Sequence, residues 1–198
     1  LRWYRQMVGI SSIGDTTVVT DKWMLGTRNS FFIGIVATLL ATALGTVAAL
    51  GLSRPHMPFK AVLMAILISP MIVPLIITAA GMFFFYSKIG LTHTYLGLIL
   101  AHTALGTPFV VITVTATLTG FDTNLIRASQ SLGADTMRTF FKVIMPLILP
   151  GVISGGLFAF ITSFDDVVVV MFVGSVEQIT IPKQMWAGLR QETSPVIF

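Results

Sequence analysis

Four long apolar stretches, separated by polar segments, constrain the fold of this 198-residue chain more than any other feature. A helix needs about 20 apolar residues to cross the hydrocarbon core of a bilayer. Four stretches meet that length, and they run approximately over residues 31–52, 61–86, 95–118 and 147–173. Only 10% of the residues are charged, against roughly 25% in an average soluble domain. We therefore predict an all-α fold, a polytopic transmembrane bundle of four spanning helices forming a single domain over residues 1–198.

The composition argues against several other classes of protein. The chain contains no cysteine, and its three histidines lack the spacing of metal ligands. The net charge of +4 is spread along the chain, without the basic clusters and interleaved aromatics of nucleic-acid-binding proteins. No GxxxxGK(S/T) loop for nucleotide phosphates occurs. Because the chain starts with Leu1 rather than methionine, we expect it to be a piece of a longer polypeptide.

Basic residues predict the orientation of the chain in the membrane, because cytoplasmic loops carry an excess of Lys and Arg. The loops at residues 53–60 and 119–142 hold two and three such residues, whereas the loop at 87–94 holds only Lys88. We therefore place the first two loops in the cytoplasm. Four basic residues before the first apolar stretch count against this orientation, and a long external segment would give them less weight. They are Arg2, Arg5, Lys22 and Arg28.

Two stripes of small residues predict that the helices pack closely against one another. The first consists of Ala37, Ala41, Gly45 and Ala49, and the second of Gly151, Gly155, Ala159 and Ser163. Small residues at a spacing of four let helix backbones approach each other in lipid. The alternative is that alanine and glycine are simply common in membrane helices. Pro70, Pro74 and Pro108 remove helical hydrogen bonds and permit kinks.

A polar, helix-prone insert interrupts the apolar pattern between residues 119 and 146. We predict a first amphipathic helix over residues 122–132, followed by a left-handed cap at Gly133. Asp135 can cap a second helix, which Pro146 ends or bends. Such a loop can dock a cytoplasmic partner and pass its motion to the membrane helices. The alternative is a helical hairpin that lies on the membrane surface.

Asp165 and Asp166 are adjacent carboxylates inside the fourth apolar stretch. A carboxylate at the bilayer centre costs about 2.5–3.5 kcal/mol on insertion scales, and intramembrane acids mark function by default. Neighbouring helical side chains point about 100° apart, so at most one of the two faces straight into a solute pathway. The alternatives are a place at the membrane interface, or partners on a neighbouring helix.

Two other side chains in the apolar stretches are candidates for the same pathway. Phe164, beside the acidic pair, can stack on a cation, although packing is the commoner role of an aromatic in a membrane helix. His102 lies in the middle of the third stretch. A hydrogen bond to a neighbouring helix is favoured there over titration in the pathway.

A pattern in the insert resembles the EAA coupling motif of binding-protein-dependent ABC importer permeases. That motif has the form E-A-A-x-x-x-G, then about nine residues, then I-x-L-P. The matching positions here are Ala128-x-x-x-x-Gly133-Ala134 and Ile144-x-Pro146-Leu147-x-x-Pro150-Gly151. Two positions depart from the motif. Arg127 stands in place of the Glu, which reverses the charge, and Ser129 stands in place of the second Ala.

The resemblance extends over nearly the whole chain and is closest to the subgroup of spermidine/putrescine importers. The further matching features are Asn29-Ser30, Ala101-His102-Thr103, Pro108-Phe109-Val110-Val111, Ser163-Phe164-Asp165-Asp166-Val167-Val168 and a tail with Ile181-Pro182, Met185-Trp186, Leu189-Arg190 and Ser194-Pro195. The resemblance implies a MetI-like permease fold of about six membrane helices. This chain would supply helices two to five, without the first and the last.

The resemblance also implies how the protein works. The chain would have no catalytic residue and no cofactor of its own, because ATP and Mg²⁺ belong to a cytoplasmic ABC ATPase dimer. A second permease subunit, a periplasmic solute-binding protein and the lipid bilayer of the bacterial inner membrane complete the set of partners. The segment 119–146 would be the cytoplasmic coupling loop, and residues 174–198 part of the surface that meets the binding protein.

The resemblance assigns roles to two groups of residues. Coupling to the ATPase would involve Arg127, Ala128, Ser129, Leu132, Gly133, Ala134, Pro146 and Pro150. Phe164, Asp165 and Asp166 would line the pathway of a polyamine, because an anionic wall attracts a cation.

Other functions remain open at this point. The same fold can carry another solute, such as thiamine, ferric iron, an opine or an aminophosphonate. An ion-driven secondary transporter would be favoured by inverted repeats with broken helices, which the sequence does not display. A membrane-embedded enzyme or a scaffold is a third class. For an intramembrane protease, the adjacent carboxylates are badly placed, because they lie on one helix.

Overall fold

Three long apolar helices organise the computed structural model, which describes residues 16–54, 56–122 and 124–191. These helices are α1 (Thr16–Leu52), α4 (Tyr95–Thr119) and α7 (Met145–Asp165). The shorter helices are α2 (Lys60–Ile72), α3 (Leu75–Ile89), α5 (Asn124–Ser131), α6 (Thr136–Thr139), α8 (Val168–Val173) and α9 (Ile181–Gln191). A π-helical turn, Phe140–Ile144, joins α6 to α7. No strand forms within the described residues, and the all-α prediction is confirmed.

The first stripe of small residues packs closely against another helix, as predicted, and that helix is α4. Ala37, Ala41 and Ala49 are almost fully buried, at 1%, 0% and 0% exposed. A Cβ built on Gly45 would lie 2.7 Å from the Cβ of Val110, which is closer than real side chains approach. The small residues of α1 therefore let its backbone approach α4.

The second stripe brings α7 against the same central helix. A Cβ on Gly151 would collide with Thr117 and one on Gly155 with Thr113, and a Cβ on Gly106 would lie 2.9 Å from the Cβ of Ala159. Because later residues of α7 meet earlier residues of α4, these two helices are antiparallel, whereas α1 and α4 are parallel. The central helix α4 is the most buried of the three long helices, with 67% of its most apolar window covered.

The predicted second span is not one continuous helix. Residues 61–86 form α2 and α3, whose axes differ in direction by 105°. Pro74 causes the break, because its ring disfavours helical backbone at the preceding residue. Val73 is accordingly extended, with φ −71° and ψ 136°. Within the part of the chain that the structure describes, three helices are thus long and apolar enough to span a membrane, or four if the bent pair counts as one span.

Pro70 lies inside α2 without breaking it, and a neighbouring serine explains why. A proline at this position cannot donate a hydrogen bond to the carbonyl four residues earlier. The Ser69 hydroxyl donates to that carbonyl, the oxygen of Ile66, at 2.8 Å. Serine side chains satisfy freed backbone groups in this way in membrane helices.

The predicted fourth span also ends earlier than its hydropathy suggests. Helix α7 ends at Asp165, and Asp166 is extended, with φ −72° and ψ 127°. The chain then forms the separate short helix α8. Asp166 favours this break because its carboxylate accepts hydrogen bonds from the backbone N–H groups of Val169 and Val170 at 3.0 and 3.3 Å, as an N-cap residue does.

A network of polar side chains fixes the segment between α8 and α9 at one end of the bundle. The Asn29 amide donates to the Ile179 carbonyl at 2.9 Å, and the Tyr95 hydroxyl donates to Asn29 at 3.1 Å. The next residue, Ser30, accepts from the Ile181 N–H at 2.9 Å. Residues 175–181 are therefore tied to α1 at Asn29 and Ser30, and through Asn29 to the first residue of α4.

Lys183 of α9 belongs to the same end of the molecule. Its ammonium group donates to the Ser175 carbonyl at 2.8 Å, and burial lowers the pKa of that ammonium. Of the tail positions in the sequence resemblance, Ser194 and Pro195 lie outside the described residues.

Candidate functional site

The insert after α4 forms a helical hairpin that turns at Gly133. Helix α5 covers Asn124–Ser131, within the predicted 122–132. Gly133 adopts a left-handed conformation with φ 81°, as predicted for a cap after the first helix. Its N–H donates to the Gln130 carbonyl at 2.9 Å. The turn therefore depends on a backbone conformation that glycine adopts at little cost.

The second insert helix runs directly into α7. Asp135 is its N-cap, as predicted, and accepts from the Arg138 N–H at 2.7 Å. Pro146 does not end the helix, because the π-helical turn at residues 140–144 precedes it and the chain continues as α7. A π turn shifts the hydrogen-bond register from i→i−4 to i→i−5. The Met145 N–H accordingly donates to the Phe140 carbonyl, and the proline falls near the start of α7.

One hydrogen bond ties the two arms of the hairpin together. The hydroxyls of Ser129 and Thr139 lie 2.9 Å apart, and Thr139 is only 2% exposed. Ser129 is the residue that stands in place of the second Ala of the EAA motif. The serine that departs from the motif thus adds a polar contact between α5 and α6, the short helix that leads into α7.

The hairpin exposes most of the residues that the sequence assigns to coupling. Arg127, Ala128, Leu132, Gly133, Pro146 and Pro150 are exposed, whereas Ser129 and Ala134 are half-buried. Leu132 is 88% exposed and Met137 is 66% exposed. Arg127 lies on the exposed surface of α5, so it presents a positive charge where the motif has a carboxylate.

The two adjacent aspartates have different environments at the α7–α8 junction. Asp165 is exposed. Asp166 is 7% exposed, and its carboxylate caps α8. Ile161 and Phe158, which precede Asp165 by one and two turns, are more than half exposed. An exposed carboxylate thus ends an otherwise apolar face of α7.

His102 meets the buried aspartate from the central helix. Its Nδ1 lies 2.8 Å from the Ser163 hydroxyl, and its Nε2 lies 3.7 Å from Asp166 Oδ2. The expected hydrogen bond between His102 and a neighbouring helix is therefore present. Ser163 was predicted only as a small packing residue, and its spacing from His102 in the sequence gives no signal of this contact.

Phe164 packs among other aromatic rings. Its ring centroid lies 5.3 Å from that of Phe31 and 5.4 Å from that of Phe160. The cluster joins α7 to α1 beside the helix break. Within the described residues, no group of three or more His, Cys, Asp or Glu side chains could hold a metal ion.

A comparison with protein families decides what kind of protein carries this site. The model of the family described as the inner membrane component of binding-protein-dependent transport systems matches residues 41–198. The chain belongs to this family. It is therefore a transport permease rather than an enzyme, and the helical bundle is the predicted MetI-like permease fold. The hairpin at residues 124–144 and the α7–α8 junction both lie within the matched region.

Curated members of the permease family are similar over most of the chain. The spermidine/putrescine transport system permease protein PotC of Haemophilus influenzae is 32% identical, over 89% of this chain and 69% of its own length. PotC of Escherichia coli strain K12 is 28% identical, over 89% of this chain and 67% of its own length. The putrescine transport system permease protein PotI of the same strain is 28% identical, over 99% of this chain and 69% of its own length.

Proposed function

We propose that this permease carries polyamines such as spermidine and putrescine across the bacterial inner membrane, as one subunit of an ABC importer. The observation that carries the proposal is the similarity to PotC and PotI, whose names specify these solutes. The exposed carboxylate of Asp165 also supports the proposal, because the cost of a charge facing lipid favours a polar environment at the end of α7 that carries this residue. A negative wall in that environment attracts a cationic solute.

The other subunits supply what this chain lacks. A periplasmic binding protein delivers the solute near residues 174–181, and a second permease subunit completes the pathway. A cytoplasmic ATPase dimer binds ATP and Mg²⁺ and meets the hairpin of α5 and α6. The exposed Arg127 then faces an acidic group of the ATPase.

Helix α7 connects the two candidate sites mechanically. Its 21 residues correspond to about 30 Å of helix, with the hairpin at one end and Asp165 at the other. Because α6 continues into α7, and the Ser129–Thr139 hydrogen bond joins both arms, a displacement of α5 moves α7 as well. ATP then shifts the population between inward-open and outward-open states.

The proposal is tested by uptake of labelled putrescine and spermidine into proteoliposomes. These hold the full-length subunit, its permease partner and its ATPase, and the binding protein is added outside. We expect ATP-dependent uptake of at least one polyamine. Gly133→Pro should abolish uptake while the ATPase stays bound, because proline cannot adopt a φ of 81°.

The acidic residue has its own control in this assay. Asp165→Asn should raise the KM for the polyamine, whereas Asp21→Asn removes an exposed carboxylate near the start of α1 and should leave the KM unchanged. If the binding protein stimulates ATP hydrolysis and neither polyamine is transported, the polyamine assignment is wrong and the permease assignment stands. Thiamine, ferric iron, an opine and an aminophosphonate are then the solutes to assay.

A further inference from the structure

The helix break beside Asp165 is held by a buried polar cluster that the proposed mechanism does not use. The cluster consists of His102, Ser163 and Asp166, which are 2%, 8% and 7% exposed. His102 belongs to the central helix α4, Ser163 to the last turn of α7, and Asp166 to the junction that precedes α8. One imidazole therefore contacts the two residues that flank the end of α7.

The hydrogen-bond geometry of the cluster indicates where its proton lies. A neutral imidazole donates from one ring nitrogen and accepts at the other. A bare Nε2 would direct a lone pair at the Asp166 carboxylate, which is 3.7 Å away. The arrangement therefore favours a Ser163 hydroxyl that donates to His102 Nδ1 at 2.8 Å. The proton on Nε2 then points towards Asp166.

The Asp166 carboxylate is held mainly through one oxygen. Oδ2 accepts from the backbone of α8 and faces His102, whereas Oδ1 has no hydrogen-bond partner within the described residues. A buried carboxylate needs such partners to offset its loss of water. Removal of the imidazole donor would therefore favour movement of the junction towards a more polar position.

We propose that His102 is a positioning residue of the transport pathway. Its imidazole, oriented by Ser163, holds Asp166 in place and thereby fixes the junction that exposes Asp165. Asp165 directly precedes Asp166, so a shift of the Asp166 backbone carries the Asp165 side chain with it. The inference rests on the proposed role of Asp165 in the pathway.

Three substitutions of His102 separate its two contacts. In His102→Gln, the side-chain amide nitrogen can take the place of Nε2 and keep the donor towards Asp166. In His102→Asn, the shorter side chain can reach only Ser163. His102→Leu removes both contacts. We expect the Gln variant to resemble the wild type and the Asn variant to resemble the Leu variant.

Cysteine labelling measures the position of residue 165 without reference to the solute. These 198 residues contain no cysteine, so Asp165→Cys introduces one site in this chain for a cationic, membrane-impermeant methanethiosulfonate. In the assembled transporter, the Asn and Leu variants should lower the labelling rate at residue 165 by about tenfold, the effect of removing a polar partner from a buried carboxylate. Ser87→Cys, at an exposed position in the last turn of α3, should be labelled at the same rate in all variants.

Uptake kinetics with Asp165 intact provide the second measurement. In the Asn and Leu variants, either the KM for putrescine should rise about tenfold or the amount of putrescine transported per ATP hydrolysed should fall about tenfold. In the Gln variant, both quantities should stay within about twofold of the wild-type values. Equal labelling at residue 165 in all variants would overturn the inference, as would a Gln variant no better than the Asn variant. If no variant transports polyamines but labelling changes as expected, the solute assignment fails and the positioning role stands.

Ser163→Ala keeps the test decisive if the His102 variants do not assemble. It removes only the hydroxyl that orients the imidazole and preserves the small side chain packed beside α4. The labelling rate at residue 165 should then fall by a smaller factor than in His102→Asn. A rate equal to that of the wild type would contradict the proposed role of the cluster.

Discussion

Single small residues determine how closely the helices of this permease pack. At Gly45, Gly106 and Gly155, a neighbouring helix occupies the space in which a Cβ would lie. In lipid, where apolar side chains gain little by leaving the solvent, such close backbone contact is a main source of helix association. The two sequence stripes predicted close packing at Gly45 and Gly155 because small residues repeat at the spacing of one helix face, whereas Gly106 belongs to neither stripe.

Two glycines of α1 allow this packing argument to be tested within one helix. Gly45→Ala should destabilise the bundle by about 1–3 kcal/mol, because the new methyl group overlaps Val110. Gly51→Ala meets no atom within 4 Å and should be neutral or slightly stabilising. Thermal unfolding of the two variants in the same detergent measures the difference. Equal melting temperatures would mean that α1 and α4 can separate without loss.

Individual helices depart from the sequence prediction where a proline, as at Pro74, or a capping side chain, as at Asp166, interrupts the backbone hydrogen bonds. Hydropathy predicted the long helices, and the cap residues Gly133 and Asp135 predicted the hairpin. The break at Asp166 was missed because four valines after it continue the apolar pattern, although Asp before an apolar run is also an N-cap signal. The contacts of Ser129 with Thr139 and of Ser163 with His102 depend on tertiary packing, and one sequence carries no sign of them.

The serine beside Pro70 gives a prediction for a single helix. Ser69→Ala should leave the Ile66 carbonyl without its hydrogen bond and destabilise α2 by about 1 kcal/mol. Ser69→Ala combined with Pro70→Ala restores the backbone donor, so the double variant should recover the lost stability. Hydrogen exchange of the α2 amides in nanodiscs measures both effects. Faster exchange in the double variant than in Ser69→Ala would contradict this explanation.

The directions of the long helices place the two candidate sites at opposite ends of the molecule. Helices α1 and α4 run in parallel and α7 runs antiparallel to both, so the hairpin at residues 124–144 and the segment at 175–181 are separated by the length of the bundle. The distribution of Lys and Arg then predicts that the hairpin faces the cytoplasm.

A matched pair of cysteine variants tests this orientation. Ser87→Cys and Ser131→Cys are near-isosteric changes at exposed positions, one in the last turn of α3 and one in the hairpin. In cells with a permeable outer membrane, an impermeant maleimide should label residue 87 at once. It should label residue 131 only after the inner membrane is opened. The reverse pattern would show that the chain is inserted in the opposite orientation.

The bend of 105° between α2 and α3 makes the folding of this subunit depend on its surroundings. The two helices, of 13 and 15 residues, are only about 20 and 22 Å long, so neither crosses a bilayer of about 30 Å alone. Val73 and Leu75 at the bend are 39% and 37% exposed. Non-helical backbone at membrane depth is tolerated only against protein or water. A partner protein that covers the bend therefore stabilises the folded subunit, and the stabilisation grows with the concentration of that partner. The folded state of this subunit thus depends on the assembled transporter.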